Sequence, residues 1–506
     1  MKYLNFWLLL CASLSARAQP GGDSSEYALL IDTAGLKTNL LIVAGSEMQG
    51  RMTATAGQRK AAAYIESKFK TLGLLPGWNN TFQQPFPVYQ DSIIKASLSI
   101  GDRALRRDTD FVVSDNSSFN VAFTASEVLY VGYGLSDSLR DDYASVNARG
   151  KIVLVTPGAP TKLIKGKKVK GTVPSFRTLQ SAAQKNGAIA LFIVDTGFPW
   201  ATRPSKGPIY FNDNRNNPIP NTFFISDSVA RLIMGGDYAV ARKMMKKGVP
   251  LPNSYFKTVS LELQKNTDRM ESSNVIAMLE GSDKKEEAII ITAHYDHLGI
   301  REDSILYPGA DDDGSGTVSL IEIAEAFSKA AKEGHRPARN IIFMAVSGEE
   351  EGLWGSSWYS DNPAFPLDKT SVDLNIDMIG RIDSGRNQAD TTNYVFVIGD
   401  DKLSSDLKPI SEGVNGQHDK LTLDYKYNDP KDPARIYYRS DHYNFAKKGV
   451  PVLFYFGGLH ADYHRPGDTP DKINYPLLAK RARFIFYTAW VMANRQEMLK
   501  RDIPLN

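Results

Sequence analysis

The sequence predicts an α/β protein: a doubly wound, largely parallel central sheet, with a smaller mixed α/β module ahead of it in the chain. Three observations carry that prediction. Residues 288–292, 341–346 and 450–456 are continuous apolar runs, as expected of strands buried on both faces. An amphipathic helical pattern at 315–332, with Ser315 as its expected N-cap, lies between the first two runs, and buried strands alternating with helices imply a parallel sheet. Finally, the texture changes near residue 115 and changes back near 260. Strand-like runs at 128–131, 152–155 and 189–194 and a helix at 178–185 are followed there by a polar stretch with several Pro and Asn at 199–221.

At 506 residues the chain is too long for one small core. Its predicted organisation is a leader at 1–18, a first segment at 19–114, the smaller module at 115–260 and the main sheet domain at 261–506. The leader has Lys2, an apolar run at 6–14, and Ala16 and Ala18 placed as small residues before Gln19. This is the pattern of a secretory signal peptide, with an apolar run too short to span a bilayer. Export to a periplasmic or extracellular space is expected. Cleavage would remove Lys2 and Arg17, taking the formal net charge from +3 to +1, and nothing in that balance suggests a nucleic-acid partner. Cys11, the only cysteine, would leave with the leader, so disulfides, cysteine nucleophiles and Cys-ligated zinc are excluded from the processed chain. No later apolar segment is long enough for a membrane span, so stable membrane insertion is not expected.

Within the first segment, residues 26–75 read as helical. Ala61, Ala62, Ile65, Phe69 and Leu72 recur at helix spacing, and Gly73 is the expected stop. Residues 80–112 read as short strands. Strong strand–helix alternation begins at Asn274.

The chemistry-bearing residues lie where the predicted strands end. His294 and Asp296 follow the run 288–292, and Glu349, Glu350 and Glu351 follow 341–346. His460, Tyr463 and His464 follow 450–456. Asp377 lies within the apolar stretch 374–379, where a carboxylate is costly unless paired or metal-bound. Asp311-Asp312-Asp313 precedes the predicted helix, and three adjacent carboxylates repel one another unless solvated or shared with a cation. Singly, each has a plainer reading: a structural histidine, an acidic helix start, a solvated turn. Together they place imidazole and carboxylate donors at the carboxyl edge of one sheet, where open α/β sheets bind ligands. That pattern points to a metal site.

In order, these segments are His-x-Asp, Gly-Ala-Asp-Asp-Asp-Gly-Ser-Gly, Glu-Glu-x-Gly-Leu, Asp-Met and Tyr-His-x3-Asp-Thr. They resemble peptidase family M28, the co-catalytic zinc peptidases. The resemblance covers roughly 26–112 and 265–495. Residues 115–260 are similar to an inserted protease-associated (PA) domain, on the segments 150–155 and 182–188. The resemblance implies the zinc-peptidase fold and two zinc ions. His294 and Asp377 would hold one ion, Glu350 and His464 the other, and Asp312 would bridge them. Asp296 would orient His294, Glu349 would act as general base towards a zinc-bound water, and Tyr463 would donate to the developing oxyanion. His297, Asp311, Asp313, Glu351 and His460 would be supporting residues. The implied activity is that of a secreted aminopeptidase acting on peptides or proteins. The alternatives are a carboxypeptidase or dipeptidase of the same family, and a non-catalytic receptor-like or binding homologue. A glutaminyl cyclase-like relative resembles a single-zinc variant, against which the complete ligand set argues. Substrate preference would come from loops at 385–392 and 424–438, with Arg435 and Arg439 as candidates.

Overall fold

The computed structural model describes residues 24–505, apart from 115–118, 139, 165–166, 202–205, 212–218, 248–252, 302–303 and 387–391. The leader at 1–18 and much of the loop 385–392 therefore lie outside the described residues. Two compact units are present: residues 1–86 with 271–506, and 87–270. The module expected at 115–260 thus belongs to a unit that begins earlier, at Pro87.

The first unit contains helices α1 (Thr33–Val43), α2 (Ala56–Leu72), α3 (Gly316–Lys332) and α4 (Tyr475–Asn494). Its strands are β1 (Val259–Leu279, from residue 271 on), β2 (Lys284–His294), β3 (Arg339–Val346), β4 (Thr370–Asp377), β5 (Tyr394–Ile398), β6 (Thr422–Asp424) and β7 (Val452–Phe456). They are ordered β1-β3-β2-β4-β7-β5-β6. The central ladders β3/β2, β2/β4 and β4/β7 are parallel, and β1 and β5 pair antiparallel to β3 and β7. The largely parallel α/β sheet is therefore present.

Alternation along β2 shows why its sequence is apolar throughout. Ile289, Ile291 and Ala293 enter one core with the helices, while Ala288 and Ile290 enter a second core on the opposite face. Each fully buried isoleucine contributes about 1.5–3 kcal/mol of transfer free energy. Helix α2 stops where Gly73 adopts φ 78°, as its position predicts. Helix α3 starts differently from expectation. Ser315 occupies the cap position but makes no capping bond. Its hydroxyl donates to the Asp311 carbonyl oxygen (2.9 Å) and accepts from the Ile379 amide (3.0 Å). The Gly316 amide is instead capped by Asp313 Oδ1 at 2.8 Å, a placement the helix dipole favours.

One buried carboxyl in this core makes no ion pair among the described residues. Glu322, 4% exposed on α3, accepts from Asn39 Nδ2 at 2.6 Å, and Tyr64 donates to Asn39 Oδ1 at 2.5 Å. Burial, then the neighbouring charges of Glu325 and Asp32 against a weaker pull from Lys68, lifts its pKa from 4.5 to about 7. The native state therefore binds the proton more tightly than the unfolded chain, and stability is lost as pH rises from about 4.5 to about 7. Glu322→Gln keeps the acceptor for Asn39 and removes the charge. It is expected to raise stability at pH 8 by about 1–3 kcal/mol and to flatten the slope between pH 4.5 and 7. Denaturant midpoints measured at several pH values check this; an unchanged slope would refute the burial account.

The second unit is built on a six-stranded sheet. Strands Val128–Tyr130, Ile152–Val155, Ala190–Asp195 and Asn221–Ser226 form its parallel centre, with Asn253–Tyr255 and Phe111–Val113 antiparallel at the two edges. Alternate residues of the parallel strands again fill two cores, Ile152 and Leu154 in one and Val153 and Val155 in the other. The short strands expected at 80–112 are largely one long strand, Gln83–Ile100. Pro85 and Pro87 interrupt the strand signal in the sequence but lie within the first five residues of this strand.

Candidate metal centre

His294 is the last residue of β2 and Asp377 the last of β4. Glu349 and Glu350 follow β3, and the segment 460–464 follows β7. The chain leaves β2 for β3 on one side and returns to β4 on the other. The carboxyl end of β2 is therefore a topological switch point, the crevice where such sheets bind ligands. Asp311–Asp313 come in from the turn ahead of α3. That turn requires Gly309, whose φ is 57°; a Cβ there would collide with the Asp312 carbonyl and the His297 ring.

Two clusters of donors result. His294 Nε2 lies 3.3 Å from Asp312 Oδ1, 3.5 Å from Asp377 Oδ1 and 3.9 Å from Glu349 Oε2. On the other side, His464 Nε2 lies 3.1 Å from Asp312 Oδ2 and 2.9 Å from Glu350 Oε2, and His297 Nδ1 lies 2.6 Å from Glu350 Oε1. Asp312 thus turns one carboxylate oxygen to each cluster. One atom from each of His294, Asp313 and Asp377, and one from each of His297, Asp312 and Glu350, fall within 4.8 Å of one another, sets that could each hold a metal ion.

The tautomer of His294 suits ligation. Its Nδ1 lies 3.2 Å from the Asp296 carbonyl oxygen, which can only accept. Nδ1 therefore carries the hydrogen, and in a neutral ring the lone pair is on Nε2, facing the cluster. Asp296 meets His294 chiefly through that backbone oxygen, since its carboxylate Oδ1 is farther, at 3.8 Å. The carboxylate has other partners: Oδ2 accepts from Thr53 Oγ1 (2.8 Å) and Oδ1 from the Glu349 amide (3.2 Å).

Electrostatics show that the cluster is out of balance as a protein-only assembly. Burial opposes charge on His294, but Glu349 and Asp377 push its pKa well above the ordinary value. Burial, reinforced by Asp377 and Glu350, pushes Glu349 well up, and burial likewise raises Asp313 and Asp377. Against burial, contacts from His294 and His464 hold Asp312 well below the carboxylate range. The nitrogen–oxygen approaches face one another without hydrogen-bond alignment: His294 Nε2, His297 Nδ1, Asp312 Oδ2, Glu350 Oε1 and Asp377 Oδ1 are buried and lack an aligned partner. Buried polar atoms are rarely left so. Convergent orphaned imidazole and carboxylate atoms fit a divalent cation, and the donor set suits zinc.

All five residues expected as ligands, His294, Asp312, Glu350, Asp377 and His464, come together here, as does Glu349. Tyr463 stacks on the His464 ring at a centroid distance of 3.9 Å, and its hydroxyl accepts from Arg439 Nη2 at 3.1 Å. His297 and Asp313, expected only as support, also lie within ligand range. Asp313 Oδ1 is already occupied by the Gly316 and Met378 amides. His460 faces Asp311 at 3.3 Å. Arg435 lies over the Tyr438 ring.

Four contributors were not singled out from the sequence. Arg51, fully buried, donates to the carbonyls of Val43, Tyr295, Pro308 and Gly309. Thr53 holds Asp296. Asp468 Oδ2 accepts from the Asp311 and Asp312 amides; it stands in the Tyr-His-x3-Asp-Thr segment, whose spacing could have marked it. Ser440 Oγ accepts from Asn375 Nδ2 and donates to Asp377 Oδ2, both at 2.8 Å, which leaves Oδ1 of Asp377 for the cluster. Ser440→Ala frees Asp377 to rotate. It is expected to weaken zinc retention by about 10–100-fold, measured by competition with a chelator; unchanged retention would show that Asp377 needs no such partner.

Residues 274–489 match the family model of Peptidase family M28. A probable zinc metalloprotease of Pyrenophora tritici-repentis is 28% identical over 265 residues, covering 45% of this chain and 52% of that protein. Leucine aminopeptidase 1 of Coccidioides posadasii is 30% identical over 231 residues, covering 44% and 55%. The chain spans about half the length of these relatives. Among solved structures, an aminopeptidase from Aneurinibacillus sp. strain AM-1 aligns with a TM-score of 0.55 and 20% identity over 95% of this chain and 97% of that one. A zinc aminopeptidase from Bacillus subtilis aligns with a TM-score of 0.50 and 20% identity over 94% and 98%. At that identity the likeness is one of fold.

Proposed function

We propose that this chain, whose residues 274–489 match the model of Peptidase family M28, is a two-zinc peptidase releasing N-terminal residues from peptides. The observation that carries the proposal is Asp312, whose two oxygens face His294 on one side and His464 on the other. In this reading His294 and Asp377 hold one ion, Glu350 and His464 the second, and Asp312 both, with His297 close enough to Glu350 to fix it. Asp313 anchors backbone amides and is not a ligand. Zinc bound there would supply Lewis acidity and a lowered pKa for water.

The chain's own groups supply the rest. Glu349 accepts a proton at its carboxylate and returns it to the leaving amine nitrogen; burial pushes its pKa up, the direction such a role needs. The Tyr463 hydroxyl accepts from Arg439 and so keeps its own proton to donate to a developing oxyanion. Asp296, fixed by Thr53, holds His294 in the tautomer that offers Nε2. The same reading takes residues 1–18 as a cleaved export signal and 115–260 as an inserted PA module. Among the described residues no helix is long and apolar enough to cross a membrane.

The test is hydrolysis of aminoacyl-anilides beside their N-blocked forms, with and without chelator. Cleavage of the free-amine substrates alone, abolished by chelation and restored by zinc, is expected. Cleavage of blocked substrates only would overturn the aminopeptidase reading. Activity indifferent to chelation would remove the metal.

A further inference from the structure

A second candidate site lies in the unit at 87–270, at the carboxyl edge of its parallel strands. A pocket of about 320 Å³ opens there, beyond Ile152–Val155, Ala190–Asp195 and Asn221–Ser226. Sites in parallel sheets form at this edge. The volume is at the lower end of ligand pockets, roughly 300–1,000 Å³, room for a small molecule and not for a folded partner.

The lining combines an apolar floor with one group of each charge. Phe176, Phe224, Leu179 and Ile193 supply the floor. Phe176 and Phe224 pack against each other at 5.5 Å, and Trp200 backs Phe224 at 5.2 Å, a platform that suits an aromatic or large apolar side chain. Asp195, half-buried at the end of its strand, lines the pocket; its Oδ1 accepts from the Gly197 amide at 2.7 Å, which fixes the carboxylate in place. Arg242 lines it too. Its Nη1 donates to Asp227 Oδ2 at 2.7 Å, and Tyr238, another lining residue, also bonds Asp227. Asp227 therefore holds the guanidinium in position, and among the described residues the other N–H groups of its five-donor fork have no aligned partner.

We infer that this pocket binds a free α-amino acid with an aromatic or large apolar side chain. The ammonium group is set against Asp195, the carboxylate against Arg242, and the side chain on Phe176 and Phe224. No bond forms or breaks. The inference rests on the pocket alone; if the chain is a peptidase, the ligand is also what it would release.

Calorimetric titration of the full chain, pre-treated with chelator so that the metal centre cannot contribute, separates this site from the peptidase reading. Three probes dissect it: L-phenylalanine, phenethylamine (ammonium only) and 3-phenylpropionate (carboxylate only). Saturable 1:1 binding of phenylalanine is expected. Asp195→Asn keeps the acceptor for Gly197 and should weaken phenylalanine and phenethylamine about ten- to a hundredfold, leaving 3-phenylpropionate unchanged. Arg242→Gln should do the converse, and Phe224→Ala should weaken all three. Since Arg242→Gln also frees Asp227, thermal unfolding is followed alongside, and Arg242→Lys, which keeps the charge, should bind with an intermediate affinity. Absence of saturable phenylalanine binding overturns the assignment. So does binding that Asp195→Asn leaves intact, or equal binding of N-acetyl-phenylalaninamide, which lacks both charges.

Discussion

Glu349→Gln is expected to leave the zinc content unchanged while lowering turnover by about 10²–10⁴-fold, the usual contribution of a positioned acid–base group. The glutamine matches the side chain in shape, and the backbone amide at 349 still donates to Asp296 Oδ1. Only the ability to take and return a proton is lost. Zinc per chain, kcat and the unfolding midpoint measured together distinguish this from a ligand loss. Turnover within a few-fold of the parent would dismiss Glu349 as the base.

Asp312→Ala should have the larger effect on the metal. The carboxylate stands between His294 and His464 and is 3% exposed. Its truncation removes a shared anion without dismantling the turn, since the amide at 312 still reaches Asp468 Oδ2. A loss exceeding the roughly 10–100-fold typical of outer partners is expected, with both ions stripped by a chelator that leaves the parent loaded and turnover falling to the blank. His464→Ala should instead release one ion and retain the other. Two ions retained by Asp312→Ala would rule out a bridging role.

The strands that carry the site were legible because each is buried on both faces and therefore apolar without interruption. The donors were legible only as a set: each alone has a structural use, but imidazole and carboxylate groups gathered at the carboxyl ends of several such runs point to a metal. Ser440 was not legible: it has no periodic signature, and its link to Asp377 runs between segments 63 residues apart. Arg51 was less so, because its carbonyl partners at 295, 308 and 309 are fixed only by the tertiary fold. The Ser315 cap failed for an instructive reason. Its hydroxyl does better tying the Asp311 and Ile379 backbones together, and Asp313, one of the three adjacent aspartates, caps the helix while bonding the Met378 amide. The start of α3 serves the site as much as the helix.

Arg51 also bears on how the protein comes into being. Its guanidinium joins the segment ahead of the 87–270 unit to Gly309, a separation of 258 residues. Contacts so distant form late, after the loop between them has closed. During synthesis the arginine emerges long before the carbonyls it must hold. A nascent chain would therefore lack the finished donor cluster until these late contacts had formed, and on the two-zinc reading the isolated segment 274–506 should fail to retain zinc. Metal capture is expected to be a closing step of maturation, and zinc uptake during refolding should lag behind the recovery of secondary structure.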